Sequence, residues 1–216
     1  METYPFEVKP LPYPIHALEP QLDARTMTLH HDKHYASYVD ALNHTLQKFP
    51  RYQGFSLTQL LSCCLKLPQE AQTAVRRSAG GVYNHELYFA GMAPHSNRNA
   101  FCALSIAIDQ CFGSFERFHK QFAEAGKAVF GSGWVSLSAA QNGRLFLEQL
   151  PNQDTSAAHR ATSILLLDCW EHAYYLEYQS RRAEYIEAWF SIISWEQAER
   201  RYLAARIYPG QEADRP

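Results

Sequence analysis

Residues 163–175 read SILLLDCWEHAYY, and this stretch contains the strongest local signal in the chain. Ser163 to Leu167 has the apolar character of a short buried strand. Asp168 follows directly, and a carboxylate at the end of a buried strand is costly unless it is paired or bound to a metal. His172 comes four residues later and offers an imidazole, which is a frequent metal ligand. The stretch therefore predicts a strand that ends at a candidate metal ligand.

A second polar cluster lies in residues 29–39, LHHDKHYASYV. His30, His34 and Tyr38 recur at i, i+4 and i+8, which places them on one face of a predicted helix over two turns. They could line a polar cavity, or one His could sit in the core while the others are solvated. His31 occupies the Glu position of the H-E-x-x-H pattern, so the zinc-protease motif is absent.

A third cluster, NHELY at residues 84–88, adds His85 to the candidate ligands. Together His30, His85, Asp168 and His172 supply three imidazoles and one carboxylate, a mixed set that favours Fe, Mn or Zn. Cys169 is the nearest thiol in the sequence, but its side chain should point away from that of Asp168 if the strand continues. Spacing alone leaves open whether the four residues converge.

The pattern of breakers and apolar residues predicts a helical first part and a mixed second part. Five prolines in the first twenty residues indicate an extended arm. A pair of glycines, Gly80 and Gly81, interrupts one predicted helix and indicates the close approach of another element. The predicted helices cover Gln21–Lys48, a short stretch from Ser56, Gln69–Met92, Ala100–Phe112, Ser114–Val129 and most of Trp170–Leu203.

Three short strands are predicted after Phe130. Trp134–Ala140 and Arg144–Leu150 flank a polar Asn-Gly turn, which is a hairpin signal, and Ser163–Leu167 is the third. We therefore predict an α+β chain with a helical domain at 1–93 and a mixed domain at 94–216.

Composition narrows the class of protein. Of 216 residues, 46% are apolar and 19% are charged, which excludes a disordered chain. The formal net charge of -2 argues against sequence-independent nucleic-acid binding. No apolar run approaches the roughly 18 residues of a membrane helix, and METYPFEVKP lacks the features of a signal peptide. The five cysteines form no C-x-x-C pair. We therefore expect a cytoplasmic protein with reduced thiols.

The chain resembles the iron/manganese superoxide dismutase family from residue 11 to about residue 200. The resemblance rests on LPYPIHALEP, LHHDKHYASYVDALN, AGGVYNHELY, FGSGW, PNQD and DCWEHAYYLEY, which occur in the family's order. It implies a helical hairpin domain followed by an α/β domain with a three-stranded antiparallel sheet, and one Mn or Fe ion per chain between them.

On the matching positions, the resemblance implies that the metal ligands are His30, His85, Asp168 and His172. It implies that Tyr38 and His34 are gateway residues of the substrate channel, and that Gln153 hydrogen-bonds a metal-bound solvent, as in manganese-type members. Further implied positions are the aromatic walls Trp134 and Trp170, and the basic residues Lys33 and Arg182 near the entrance.

Several residues depart from the family pattern without removing a ligand. Iron-type members carry their glutamine at the position of Gly81, so Gly81 with Gln153 favours manganese. Leu166 differs from the small residue common in manganese-preferring members, so iron is the alternative metal. The other departures are Phe89 and Ser136, where many members have Trp, Tyr35 in place of His, and Ala183 in place of Pro.

The implied reaction is disproportionation of superoxide to dioxygen and hydrogen peroxide. The alternatives are a wrongly tuned or non-catalytic metal-binding member of the same fold and, from the ligand types alone, a zinc or iron hydrolase or oxygenase. The resemblance also implies a homodimer, with a tetramer as the alternative. In this dimer, Glu171 of one chain would form a hydrogen bond with His172 of the other, and His34 of one chain would contact Tyr175 of the other.

Overall fold

The computed structural model describes residues 2–96 and 102–206. The first part is helical. Its elements are α1 (Ala24–Leu29), a π-helical turn (His30–Tyr35), α2 (Ala36–Gln47), α3 (Leu57–Ser62) and α4 (Gln69–Ala90).

Local sequence signals explain where these helices begin. The Asp23 carboxylate accepts a hydrogen bond from the Thr26 N–H and caps α1. Ser56 and Gln59 form a reciprocal capping box at the start of α3. Pro68 directly precedes α4. Backbone N–H groups at a helix start have no partner within the helix, so the missing N–H of proline removes no helical hydrogen bond.

The helices pack through their apolar faces. α2 lies along α4, and both contribute to one continuous core with the rest of the chain. Val39, Leu42 and Leu46 on α2 are buried, as are Val75 and Val82 on α4.

The second part combines helices with a sheet. Its elements are α5 (Ala103–Phe112), α6 (Phe115–Ala128), β1 (Gly133–Ala139), β2 (Leu145–Pro151), β3 (Thr162–Asp168), α7 (Tyr175–Tyr178), α8 (Arg182–Ser191) and α9 (Trp195–Arg206). The three strands form an antiparallel sheet in the order β2-β1-β3. The register places Trp134 opposite both Leu150 and Asp168, so the candidate ligand Asp168 lies at the end of the sheet where β1 begins.

The predicted α+β class, the hairpin and the third strand are confirmed, and most helix bounds agree within three residues. Residues 97–101, which contain the predicted start of the Ala100–Phe112 helix, lie outside the described residues. The division at residue 93 stays a prediction. None of the helices in residues 2–96 and 102–206 combines the length and the hydropathy that a membrane span requires.

The structure corrects the prediction of a regular α-helix through the first histidine cluster. His30–Tyr35 forms a π-helical turn, in which the Ala36 N–H bonds to the His31 carbonyl five residues back. The helix continues on both sides, so the turn is a local widening that changes which residues share a face.

Candidate metal centre

Four residues from four different elements meet between the two parts of the chain. His30 begins the π-helical turn, His85 lies on α4, Asp168 ends β3, and His172 lies in a 3-10 turn that follows. One ligand atom from each lies within 4.8 Å of the others. His30, His85 and Asp168 are fully buried, and His172 is nearly so. The structure thus brings together the four residues that the resemblance implied as ligands.

The atoms that face one another lack hydrogen-bond partners. His30 Nε2, His85 Nε2, His172 Nε2 and Asp168 Oδ2 are all buried and unpaired within the described part of the chain. Asp168 Oδ2 lies 3.1 Å from His30 Nε2 and 3.3 Å from His172 Nε2, yet neither contact has hydrogen-bond geometry. Buried unpaired polar atoms are rare and costly, so their convergence indicates a cation in common.

The protonation states suit a metal. Burial lowers the pKa of His30 to about 4, although the Asp168 carboxylate opposes this shift. Burial also holds the pKa of His85 well below its usual range, and the proximity of His30 adds to this. Burial disfavours ionised Asp168, but His172 and His30 outweigh it and keep the carboxyl pKa below its usual value. Neutral imidazoles and an ionised carboxylate are the forms that bind metals.

Neighbouring groups orient two of the ligands. His85 Nδ1–H donates to the Gly81 carbonyl at 2.7 Å, which leaves Nε2 free of a proton and directed at the cluster. Asp168 Oδ1 accepts from the Trp170 backbone N–H at 2.8 Å, so only Oδ2 is left to face the imidazoles. The Asp168 carbonyl accepts from the Tyr185 hydroxyl at 2.8 Å, and that hydroxyl lies 3.1 Å from the hydroxyl of Tyr88.

A hydrogen-bonded wall lies beside the cluster. Gln153 Nε2–H donates to the Tyr38 hydroxyl at 2.9 Å, and Gln153 Oε1 accepts from Trp134 Nε1–H at 3.2 Å. Both bonds together fix the orientation of the amide. The Asn152 carbonyl accepts from the indole N–H groups of both Trp134 and Trp170 at 3.0 Å.

Both glycines of α4 are required by this wall. A Cβ on Gly80 would lie 2.0 Å from the Gln153 carbonyl oxygen, and one on Gly81 would lie 2.4 Å from the Tyr38 ring. The predicted close approach of another element is therefore confirmed. Any side chain at position 81 would require the Tyr38 ring to move.

The two residues predicted as gateways, His34 and Tyr38, lie beside the cluster and are half-buried. His34 stacks on His172, with ring centroids 4.0 Å apart. Burial, with His172 nearby, lowers the pKa of His34. The Tyr38 ring lies 5.3 Å from that of His85. Burial raises the pKa of the Tyr38 phenol, although the bond from Gln153 opposes the shift, so the phenol keeps its proton at neutral pH.

The remaining predicted residues are farther out. Lys33 is exposed. Arg182 donates to the Val129 carbonyl at 2.7 Å and to the Tyr174 hydroxyl at 2.9 Å. Glu171 and Tyr175 are exposed, and their partners in a dimer stay a prediction.

Two residues near the cluster in sequence do not join it. His31 bonds the Lys9 carbonyl through Nε2, at 2.7 Å. Cys169 is buried, with Sγ 3.8 Å from the Gly126 carbonyl.

Sequence reasoning did not single out Tyr88, Tyr185, Asn84 or Asn152. Tyr88 and Tyr185 support the Asp168 backbone, and Asn84 donates to the Asp154 carbonyl at 3.0 Å beside Gln153. Both asparagines stand inside the quoted motifs NHELY and PNQD. The two tyrosines offered only the weaker signal that a buried phenol needs a partner.

Comparisons with known proteins agree with this geometry. Residues 5–93 match the family model for the alpha-hairpin domain of iron/manganese superoxide dismutases, and residues 100–201 match the model for the C-terminal domain. The chain is 42% identical to superoxide dismutase [Mn] 1 of Leptolyngbya boryana over 95% of this chain and 84% of that protein. It is also 42% identical to superoxide dismutase [Mn] of Thermus thermophilus, over 91% of this chain and 96% of the relative. The chain belongs to the iron/manganese superoxide dismutase family.

Proposed function

We infer that this chain is a superoxide dismutase that converts superoxide to dioxygen and hydrogen peroxide with one manganese or iron ion per chain. The convergence of four unpaired ligand atoms, in a chain of this family, carries the conclusion. His30, His85, Asp168 and His172 would hold the ion. The bound metal supplies one-electron oxidation and reduction between its divalent and trivalent states.

The chain's own residues supply the proton and position the substrate. Tyr38 keeps its phenolic proton at neutral pH and lines a cleft that opens to solvent, so it can pass protons inward from bulk water. Gln153 holds the Tyr38 hydroxyl with one N–H and keeps a second N–H available as a donor. Trp134 is fully buried and shields that side of the cluster from water.

The ligand set and its surroundings favour a dismutase over a hydrolase. A metal-dependent hydrolase needs a carboxylate base beside the metal. Asp154, the only carboxylate among the residues that line the adjoining cleft, is engaged by Arg76 through two hydrogen bonds of 2.6 Å. The Glu171 side chain is exposed and forms no hydrogen bond or ion pair within the described part of the chain.

We propose manganese as the preferred metal. Gln153, with glycine at position 81, supports this preference, as do relatives that are named manganese superoxide dismutases. Leu166 is buried two residues before Asp168. Because it differs from the small residue common in manganese-preferring members, iron must be tested as well. Separate reconstitution of the apoprotein with manganese and with iron tests this preference. Activity with iron alone would overturn it.

Metal analysis with a superoxide-decay assay on the same sample tests the function. The loaded wild type should hold one ion per chain and accelerate the decay, whereas a loaded but inactive protein would favour the non-catalytic alternative. Asp168→Ala should abolish tight metal retention, since it removes the anionic ligand. Stoichiometric metal and full activity in that variant would contradict the ligand assignment.

We also propose a homodimer that joins through Glu171 and Tyr175. A ligating His usually donates its outer N–H to an acceptor, and His172 Nδ1 has none among the residues that the structure describes. Glu171 of a second copy, related by a two-fold axis, could accept that bond and receive the reciprocal one. Glu171→Ala should then weaken association and metal retention together. Sedimentation that gives a monomeric, fully active wild type would contradict the dimer.

We propose a cytoplasmic location, which the five free cysteines support. Cell fractionation tests it.

A further inference from the structure

A cleft of about 550 Å³ opens beside the candidate metal centre. Two of its wall residues lie against the ligands. The ring centroids of Tyr38 and His85 are 5.3 Å apart, and those of Trp170 and His172 are 5.5 Å apart. The cleft therefore offers a direct route from solvent to the residues around the metal site.

The cleft wall carries one positive charge without a counter-charge. Two arginines line it, Arg76 and Arg77. Arg76 is neutralised by Asp154 through two hydrogen bonds of 2.6 Å. Arg77 is exposed and has no carboxylate partner among residues 2–96 and 102–206. The local charge of the wall is thus positive, in a chain whose formal net charge is -2.

The position of Arg77 on α4 explains why it lies beside Tyr38. It lies one turn before Gly81, and residues four apart share a helix face. Gly81 is the point at which the Tyr38 ring lies against α4, since a Cβ there would be 2.4 Å from that ring. Arg77 and Tyr38 therefore flank the same opening. The two cations that the resemblance implied, Lys33 and Arg182, do not line this cleft.

We propose that Arg77 attracts superoxide into the cleft beside Tyr38 and so raises the rate at which this anion reaches the metal centre. The proposal rests on the proposed function. An exposed cation at the mouth of a cleft acts on the approach of the substrate and not on the chemical step. Its effect is on kcat/KM, and it weakens as salt screens the charge.

The test compares three metal-loaded variants with the wild type. Arg77→Gln removes the charge and Arg77→Glu reverses it. Arg144→Gln makes the same charge change on an exposed residue that follows the hairpin turn, at the opposite end of β1 and β2 from Trp134. Superoxide decay is followed at several ionic strengths, and the dissociation constant of azide, a monovalent anion probe, is measured spectroscopically.

For a unit charge about 10 Å from the path of the anion, Coulomb attraction in water predicts a loss of about twofold in kcat/KM at low salt for Arg77→Gln, and about fourfold for Arg77→Glu. We expect unchanged kcat and metal content, weaker azide binding by similar factors, and a smaller dependence on salt. Arg144→Gln should match the wild type. Equal kcat/KM, salt dependence and azide affinity in wild type and Arg77→Gln would overturn the proposal.

The two inferences fail separately. A wild type that holds metal without accelerating superoxide decay refutes the proposed function, and the azide measurement then still decides whether Arg77 attracts anions. An active wild type whose rate is unaffected by Arg77→Glu refutes only the role of Arg77.

Discussion

The substitution Gly80→Ala tests how tightly α4 must approach the wall of the metal centre. The added Cβ would lie 2.0 Å from the Gln153 carbonyl oxygen and 3.2 Å from its carbonyl carbon. Both are backbone atoms, so no side-chain rotation relieves the overlap. The segment that carries Gln153 must move away from α4.

That movement disturbs two hydrogen bonds of the Gln153 amide, the one to Tyr38 at 2.9 Å and the one from Trp134 at 3.2 Å. Overpacking costs about 1–3 kcal/mol, and two lost hydrogen bonds cost about 1 kcal/mol each. Alanine regains about 1 kcal/mol of helix propensity over glycine. We therefore expect Gly80→Ala to lower the free energy of unfolding by about 2–4 kcal/mol, from the sum of these terms.

Urea denaturation, metal content and superoxide decay measure the outcome. Gln153 is not a ligand, so we expect the variant to retain metal but to lose activity. Gly54→Ala is the matched control, because no atom lies within 4 Å of its added Cβ and its backbone is not left-handed. It should be neutral or stabilising by up to about 1 kcal/mol. If Gly80→Ala is as stable and as active as Gly54→Ala, the reasoning about this contact is wrong.

Two further predictions concern the ligands. The pKa of His30 is about 4 in the folded apoprotein against an ordinary 6.5, so the unfolded chain binds more protons between these values and the free energy of unfolding should fall as pH decreases from about 6.5 to about 4. Denaturation of the apoprotein at several pH values measures this, and a constant stability across the window would contradict it. Tyr185→Phe removes the hydroxyl that donates to the Asp168 carbonyl, so it should destabilise the fold by about 1–3 kcal/mol. It should also speed the release of metal to a chelator, and unchanged release would mean that Tyr185 does not position Asp168.

Much of the fold could be predicted from short-range patterns. The apolar periodicity of α2 and α4 and the Asn-Gly turn between β1 and β2 are local properties, and the structure confirms the elements that they indicated. The π-helical turn at His30–Tyr35 could not be predicted, because no breaker or cap in HHDKHY marks a change of helical pitch.

The metal centre could not be predicted from local sequence patterns. His30 and Asp168 stand far apart in sequence, and spacing alone could not bring them together; only the family motifs implied it. The Arg76–Asp154 pair, which leaves Arg77 without a counter-charge, also joins distant segments and has no signature in either one.

A buried group of four serines illustrates the same limit. Ser136, Ser138, Ser156 and Ser163 bond one another in a closed ring, with oxygen separations of 2.7–3.0 Å. The sequence indicated only that Ser136 stands where many family members have Trp. These four residues come together only when β1, β3 and the turn between β2 and β3 have assembled.

The π-helical turn sets where Tyr38 stands relative to His30. A π turn is equivalent to one residue inserted into an α-helix, and each α-helical residue turns the chain by about 100°. Over the eight residues from His30 to Tyr38, a regular α-helix would pass two full turns by about 80°. The π turn takes up the rotation of one residue and brings the two side chains back toward one face. A separation of eight residues therefore suits this site only with the π turn in place, and among homologues we expect the loss of this turn to accompany the loss of one residue between these two positions.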